Sequence, residues 1–514
     1  MKFGLTSLEN FGIFLLVFLK GCFRLMPEPQ KIEKVLSHYA TRTLLRHITT
    51  ANHRGHTFLE EIFENYDEPS LGPLKRVKYA LPFFIADFLR RKAGASRDIL
   101  RDEIFRHPAR AHGLINTAKA IGLFGLTKPQ TFYAPLLVVW NFTQACNLNC
   151  MHCYQDARRP LPDELTLKEK LRMLDIFKKN YVPLLAFSGG EPMLSSDFWE
   201  VVERAGAMKF NISIATNGSL LTKEAAKRMR DINVRYVEVS LDSVHPEKHD
   251  RFRGGTGLWQ RAVAGIKAAL TQRHRGLKVG IASTITRLNF AELEDLILFA
   301  EDLGVDTFFA FNFIPTGRAS DLARLDLTPQ MRQEMLEILH KHLTRAKINI
   351  VSSAPQLARL CLARGLDGLM TTGHYGVGPG LNAKILAKYI GGCGAGRVYM
   401  ALQPNGAVTP CVFMPIEVGN LRHQSLQDLW HNSPVFKILR DRDERLGHCR
   451  ICEYKYHCGG CRAKAWAYFS DLRAPDPGCI HNLSAWQDMW AGKELKESQK
   501  RTLAAALQPA RAAN

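Results

Sequence analysis

Long hydrophobic runs are scarce in this chain of 514 residues. The most apolar stretch, residues 11–19 (FGIFLLVFL), is nine residues long, too short to cross a bilayer. It has Glu9 ahead of it and no small-x-small cleavage site after it, so a signal peptide fits poorly. Leu19-Lys20-Gly21-Cys22 fits a lipoprotein box poorly because of its lysine. An in-plane membrane anchor and a packed N-terminal helix remain, evenly weighted. Long Lys/Arg runs, a recognition-helix signature and an RNA-binding aromatic motif are absent as well. Nucleic acid is therefore the weaker reading of the +20 net charge and the pI near 9.5, and an anionic membrane surface or an acidic substrate fits better. Cysteine is nearly missing from the first quarter. Eleven of the twelve cysteines lie beyond it, mostly at metal-ligand spacings, which points to thiolates kept reduced in a cytosol rather than to a disulfide scaffold. The expected location is cytoplasmic, with peripheral contact to the inner membrane face.

The length implies two or three domains. Residues 1–130 are expected to be mainly helical and membrane-associating. Within them, residues 75–92 place basic ends around an aromatic middle, which suits a lipid headgroup boundary, or a helical hairpin packed on the main domain. Residues 131–350 alternate strand and helix. Strands are expected at 136–142, 184–188, 212–216, 236–241, 279–285 and 307–314, with helices at 167–180, 223–231, 259–273 and 291–303. Repeated β-α units give an α/β fold of parallel strands with ligands at their C-terminal ends. Residues 351–392 read as a glycine-rich bridge. Residues 393–485 form a cysteine-rich region with few long periodic runs, held by metal rather than by a hydrophobic core, and residues 486–514 form a tail.

The most informative residues are Cys146, Cys150 and Cys153, spaced C-x-x-x-C-x-x-C after the first strand. Three thiolates can hold three irons of a [4Fe–4S] cube and leave the fourth iron open to a small molecule. The competing reading is a zinc knot with His152 as fourth ligand, although that ring would have to fold back on its own short loop. The run from Thr143 to Tyr154 (TQACNLNCMHCY) closely resembles the cluster loop of radical S-adenosylmethionine (SAM) enzymes. The resemblance continues through Ser188-Gly189-Gly190-Glu191-Pro192, Thr216-Asn217-Gly218, Ser240 with Asp242, and the H-D-x-x-R-G stretch from His249 to Gly254. Ser283, Asn289, Pro315 and Gly317 fit later strand ends with less weight each.

This resemblance implies a partial (β/α)6 barrel and an enzyme that reductively cleaves SAM to a 5′-deoxyadenosyl radical, which abstracts a substrate hydrogen. It places His152 near the adenine, and Gly189, Gly190 and Glu191 at the SAM amino group. Asn217, Ser240 and Asp242 join the SAM contacts, with Arg253 as a partner for its carboxylate. A reducing partner such as a flavodoxin or ferredoxin is implied. The C-terminal cysteines resemble the SPASM extension, which houses one or two auxiliary [4Fe–4S] clusters. By resemblance Cys393, Cys411 and Cys461 hold the inner one, and Cys449, Cys452, Cys458 and Cys479 the outer one. The interval between Cys458 and Cys461 is one residue shorter than the commonest form. Relatives with a full ligand set carry a further cysteine shortly before the first, and residues 383–392 contain none. The inner fourth iron is thus open, held by another ligand type, or reached by Cys361, which reads better as a buried core thiol.

Relatives with this extension modify peptides or protein residues, remodel tetrapyrroles, or join membrane lipid chains. Peptide maturases commonly carry an N-terminal winged-helix module, and no strand pair for one is seen before residue 130. The apolar, basic N-terminus favours a membrane lipid, with a peptide or tetrapyrrole as the alternative. A non-catalytic iron–sulfur electron carrier is the reading from another class; the SAM-contact motifs speak against it.

Overall fold

The computed structural model describes residues 29–490 apart from 54, 94, 365–369, 373–374 and 379–386. The expectations for residues 11–19, for much of the glycine-rich bridge and for the tail from 491 onward lie outside the described residues.

Six strands follow one another in parallel order: β1 (Leu137–Asn141), β2 (Leu184–Ser188), β3 (Asn211–Thr216), β4 (Val234–Ser240), β5 (Lys278–Ile285) and β6 (Thr307–Asn312). Helices cover the outer, apolar side of these strands, and the inner side faces the barrel interior, where β3 and β4 also present Ser213, Glu238 and Ser240. The crossovers contain helices Leu167–Lys179, Phe198–Ala207, Lys223–Asp231, Leu258–Leu270 and Leu293–Leu303. Local chemistry sets their starts. Thr166 and Glu169 close a capping box on the first, and Thr222 caps the third.

The sheet is larger than the expected six strands. Helix Pro329–Arg345 leads to β7 (Asn349–Ser352), which pairs in parallel with β6 at one edge. A hairpin of β8 (Met370–Thr372) and β9 (Tyr375–Gly378) stands apart. At the other edge β10 (Tyr399–Leu402) pairs in parallel with β1, followed by antiparallel β11 (Ala407–Thr409) and β12 (Gly419–Asn420). The order β12-β11-β10-β1-β2-β3-β4-β5-β6-β7 leaves β12 and β7 as edges, so the barrel is partial.

The C-terminal region departs from expectation in having a hydrophobic core. Trp430, Phe436 and Leu439 are buried in the same apolar cluster as the barrel strands, and Trp430 Nε1 donates to the Phe132 carbonyl at 2.9 Å. These side chains come from the short helices Leu426–Asn432 and Pro434–Arg440, too brief to show a helical period in a sequence window. Cys361 lies buried in the helix Gln356–Ala363, as a core thiol would.

The N-terminal region is helical, with segments Pro29–Ser37, Tyr39–Thr49, Phe58–Asn65, Pro73–Ala93 and Pro108–Phe124. It has its own apolar cluster around Phe63, Tyr66, Tyr79 and Ile115. Asn116 ties it to the barrel by donating to the carbonyls of Ala134 at 3.0 Å and Tyr181 at 3.3 Å. The stretch expected as a headgroup binder or a hairpin is one continuous helix, Pro73–Ala93. Tyr79 and Asp87 face inward, and Asp87 accepts from Tyr66 at 2.6 Å and Arg90 at 2.5 Å. Leu74, Val77, Leu81, Phe84 and Phe88 face solvent. No helix among the described residues is long and apolar enough to cross a membrane.

Candidate active site

The C-terminal strand ends surround a cavity of about 240 Å3. Cys146, Cys150 and Cys153 line it from the loop after β1. That loop is clamped from several sides by backbone bonds. Cys146 N donates to Arg158 O at 3.2 Å, Met151 N to Phe252 O at 3.1 Å, and Glu191 N to Ala145 O at 2.8 Å. Two glycines permit this packing: a Cβ on Gly190 would stand 2.1 Å from the Ala145 carbonyl oxygen, and one on Gly254 2.4 Å from that of Asn149. Arg318 adds a side-chain clamp, donating to the carbonyls of Cys150 at 2.8 Å and Ala157 at 2.9 Å and to Asp156 at 2.9 Å.

The three thiols suit a cluster that binds them as thiolates. Burial pushes Cys146 up to about 11 and raises Cys150 as well. N–H donors already aim at the sulfurs: Leu148 N at Cys146 Sγ (3.4 Å), Ala157 N at Cys153 Sγ (3.4 Å) and Arg253 Nη1 at Cys150 Sγ (3.8 Å). Such donors stabilise negative sulfur. No three His, Cys, Asp or Glu side chains among the described residues are gathered tightly enough for a single metal ion. A four-iron cube is a larger guest and holds its thiolates further apart.

The other expected SAM contacts divide into two groups. His152, Gly189, Gly190, Asn217, Ser240 and Arg253 line the cavity. His152 stacks on Phe252 with ring centroids 4.1 Å apart, and burial holds the imidazole neutral down to about 3. Its Nδ1 is buried with no hydrogen-bond partner among the described residues, leaving one polar atom for a guest. Glu191 and Asp242 are not among the lining residues. The Glu191 carboxylate accepts from Thr216 Oγ1 at 2.9 Å and from Asn217 N at 2.9 Å, pinning the end of β2 to that of β3. Burial pushes it up to about 7. Asp242 accepts from Arg253 Nε at 2.6 Å and from Thr284 N at 2.8 Å. It positions the arginine and keeps it charged. Asn289, beyond β5, donates to Asp242 O at 2.8 Å, and Ser283 is buried on β5.

The C-terminal cysteines fall into two groups. Cys393, Cys411 and Cys461 line one small cavity of about 30 Å3, and Tyr399 donates to Cys411 Sγ at 2.8 Å. No fourth cysteine among the described residues lines it. Burial raises Cys461, and the neighbouring Asp476 and Cys393 raise it further. Cys449, Cys452, Cys458 and Cys479 form the other group. Cys458 is raised by burial and then by Cys479 and Cys449, while Cys452 is raised by burial and by Cys449. Asn482 Nδ2 and Asp476 N donate to Cys449 Sγ at 3.4 and 3.5 Å, and Gly460 N to Cys458 Sγ at 3.4 Å.

The family model of the Radical SAM superfamily matches residues 140–300, and that of the SPASM iron-sulfur cluster-binding domain matches residues 393–453. The chain is 32% identical over 354 residues to the AdoMet-dependent heme synthase of Methanosarcina barkeri, covering 68% of this chain and 97% of the relative. The chain belongs to the radical SAM superfamily. It carries a C-terminal SPASM domain. It is also 31% identical over 357 residues to the mycofactocin maturase MftC of Mycobacterium tuberculosis, covering 68% of this chain and 84% of that one. Among solved structures, SuiB of Streptococcus suis bound to S-adenosylmethionine shares the fold, with a TM-score of 0.57 at 19% identity over 83% of this chain and 93% of that one.

The sequence motifs do not include every group that holds or lines the strand-end cavity. Arg318 was missed, though it follows Gly317 in a loop the motifs had reached. Tyr154 closes the cluster loop and bonds Ser188 Oγ at 3.0 Å. Glu238, a carboxylate on the inner face of β4, also lines the cavity. Its signal in the sequence was parity, since it stands two residues before Ser240 on the same strand face.

Proposed function

We propose that this protein binds SAM in the strand-end cavity, cleaves it reductively, and abstracts hydrogen from a tetrapyrrole or peptide substrate. The observation that carries the cleavage step is the juxtaposition of Cys146, Cys150 and Cys153 with Gly190, Asn217, Ser240 and Arg253 around one cavity. When bound, a [4Fe–4S] cluster supplies the electron that breaks the C–S bond of SAM. The chain's own residues orient the reactants. Arg253, held by Asp242, offers its remaining N–H groups to a carboxylate, and His152 and Phe252 offer a stacked apolar face to an adenine. The substrate class follows the relatives, a heme synthase and a mycofactocin maturase, rather than the membrane lipid expected from N-terminal composition. The grouping of seven C-terminal cysteines supports two auxiliary clusters, with the inner one lacking a fourth cysteine. Anaerobic reconstitution followed by SAM and dithionite tests the reading: 5′-deoxyadenosine forms, and about twelve irons bind per chain. Replacing Cys146, Cys150 and Cys153 together by Ala removes about four irons and all cleavage. An intact cluster spectrum without 5′-deoxyadenosine would sink the proposal.

A second reading concerns location. Helix Pro73–Ala93 exposes Leu74, Val77, Leu81, Phe84, Ile85 and Phe88 on one face, opposite the packed face that carries Tyr79. Lys78 and Arg91 flank that stripe at helical spacing and are 48% and 67% exposed. Apolar residues between basic ones suit an anionic lipid surface. Co-sedimentation with phosphatidylcholine vesicles containing phosphatidylglycerol, but not with phosphatidylcholine alone, is expected, and Leu81→Glu with Phe84→Glu abolishes it. Concentration-dependent dimerisation through this face, or no vesicle binding, would overturn it.

A further inference from the structure

Along β4 the side chains of Tyr236, Glu238 and Ser240 share the inward face and all line the main cavity. Ser240 sits at the strand end where SAM is proposed to lie, and Glu238 is one residue pair deeper. Its neighbours in register are Ala215 on β3 and Gly280 on β5, and the Tyr236 ring fills the space that a side chain at 280 would take. Tyr236 donates to Glu238 Oε2 at 3.1 Å. The hydroxyl reaches that point only because residue 280 lacks a side chain: a Cβ there would lie 1.9 Å from the Tyr236 oxygen. No ion pair to Glu238 occurs among the described residues, and Arg253, the arginine of the same cavity, is engaged by Asp242. A lone carboxylate inside an apolar enclosure costs free energy unless something else uses it.

Aromatic rings make up part of the remaining wall, beside aliphatic residues and Ser213, Thr284 and Asn312. The Tyr154 and Phe413 ring centroids are 4.8 Å apart, Phe309 and Phe311 stack at 4.1 Å, and Phe311 stands 6.4 Å from Phe413. Aromatic faces attract cations and flat rings, and an adjacent carboxylate accepts from N–H groups.

We propose that Glu238, steadied by Tyr236, is the specificity-determining acceptor of the substrate chamber, and that it selects a nitrogen cation, as a lysine or arginine side chain of a peptide presents, over a carboxylate. This rests on the reading of the cavity as the SAM and substrate site, and it narrows that reading toward the peptide class. Removing the charge weakens a cationic ligand by at least about tenfold and leaves a neutral one of the same shape almost unchanged.

Three probes with one aromatic body separate the alternatives: tyramine, p-cresol and 3-(4-hydroxyphenyl)propionate. Their binding to the reconstituted enzyme with SAM present is measured at pH 8 by equilibrium dialysis. The wild-type protein is expected to bind tyramine at least tenfold more tightly than the propionate. Glu238→Gln brings the three within about threefold of one another, and Tyr236→Phe gives an intermediate preference. Equal binding of the three probes by the wild type, a preference for the propionate, or a tyramine preference that survives Glu238→Gln overturns the proposal. The wild-type comparison decides even if a variant fails to fold. Formation of 5′-deoxyadenosine without substrate is scored separately on the same samples. Its absence counts against the SAM-cleavage reading, while the probe preference still reports on Glu238.

Discussion

Gly190→Ala tests most directly how the chain holds its cluster loop. The added methyl carbon would stand 2.1 Å from Ala145 O and 2.7 Å from Ala145 C, both backbone atoms one residue from Cys146. Ordinary contact needs about 3.4 Å, so the two segments must part by roughly 1 Å. They are joined by Gly190 N to Thr143 O at 2.8 Å and Glu191 N to Ala145 O at 2.8 Å. Parting them strains or breaks two backbone bonds at a net ~1 kcal/mol each, far from enough to unfold the domain. The larger effect falls on geometry, because a 1 Å misplacement at a reacting centre costs on the order of a hundredfold in rate. The assay is anaerobic reconstitution, iron counting and dithionite-driven 5′-deoxyadenosine formation, beside circular dichroism to show that the fold survives. Gly72→Ala serves as the control, since a Cβ there meets nothing within 4 Å. Wild-type iron content and wild-type cleavage in Gly190→Ala would refute the claim that this close approach fixes the loop.

Three further outcomes follow from the packing. Thr216→Val removes the hydroxyl that donates to the buried Glu191 carboxylate and should cost ~1–3 kcal/mol in denaturant unfolding, most of it recovered in a Thr216→Ser variant. Trp430→Ala should cost ~3–5 kcal/mol by the same measurement, because it empties a fully buried site and leaves the Phe132 carbonyl without its donor. His112, packed edge-on against Tyr181 at 5.5 Å, is held neutral down to about 3 by burial, with Lys178 adding to the effect. An unfolded imidazole takes up its proton below about 6.5, so this contribution to stability is complete above that pH and falls away toward 3. His112→Leu should therefore flatten the stability profile between pH 6.5 and 4, and an unchanged slope there would contradict the buried-neutral assignment.

The parts of the fold that could be read from the chain are those with long local signals. β1 to β6 and four of their five crossover helices carry enough apolar residues at one period to announce themselves, with boundaries within a few residues of expectation, while the helix Phe198–Ala207 was not anticipated. β10 did not, because four residues, Tyr399–Leu402, in a cysteine-rich stretch give no period to detect. The same brevity hid the helices that bring Trp430 and Phe436 into the core. At the site, motif spacing located Cys146, Cys150, Cys153 and Arg253, but it could not say where each side chain turns. Glu191 is a case in point: the sequence places it beside the cavity, while three-dimensional packing turns its carboxylate into the β2–β3 seam. Glu238 is the reverse. One acid among valines in VRYVEVS resembles an ordinary surface charge until the register shows Ala215 and Gly280 on either side of it.

The shared sheet also bears on how the two halves of the molecule work together. β10 pairs with β1 from Leu137↔Tyr399 to Trp140↔Leu402, so the strand that delivers the cluster loop is hydrogen-bonded directly to the strand that carries Tyr399. Tyr399 in turn bonds Cys411 and lines both the main cavity and the small one between Cys393, Cys411 and Cys461. Ile314 and Phe413 line both cavities too. A domain joined only through a flexible linker could lose its register with the barrel without cost. Here any shift of the cysteine-rich region must break a parallel ladder and open the apolar cluster around Trp430 and Val138. The C-terminal cysteines are therefore held at a fixed distance and orientation from the main cavity by the same backbone bonds that complete the sheet.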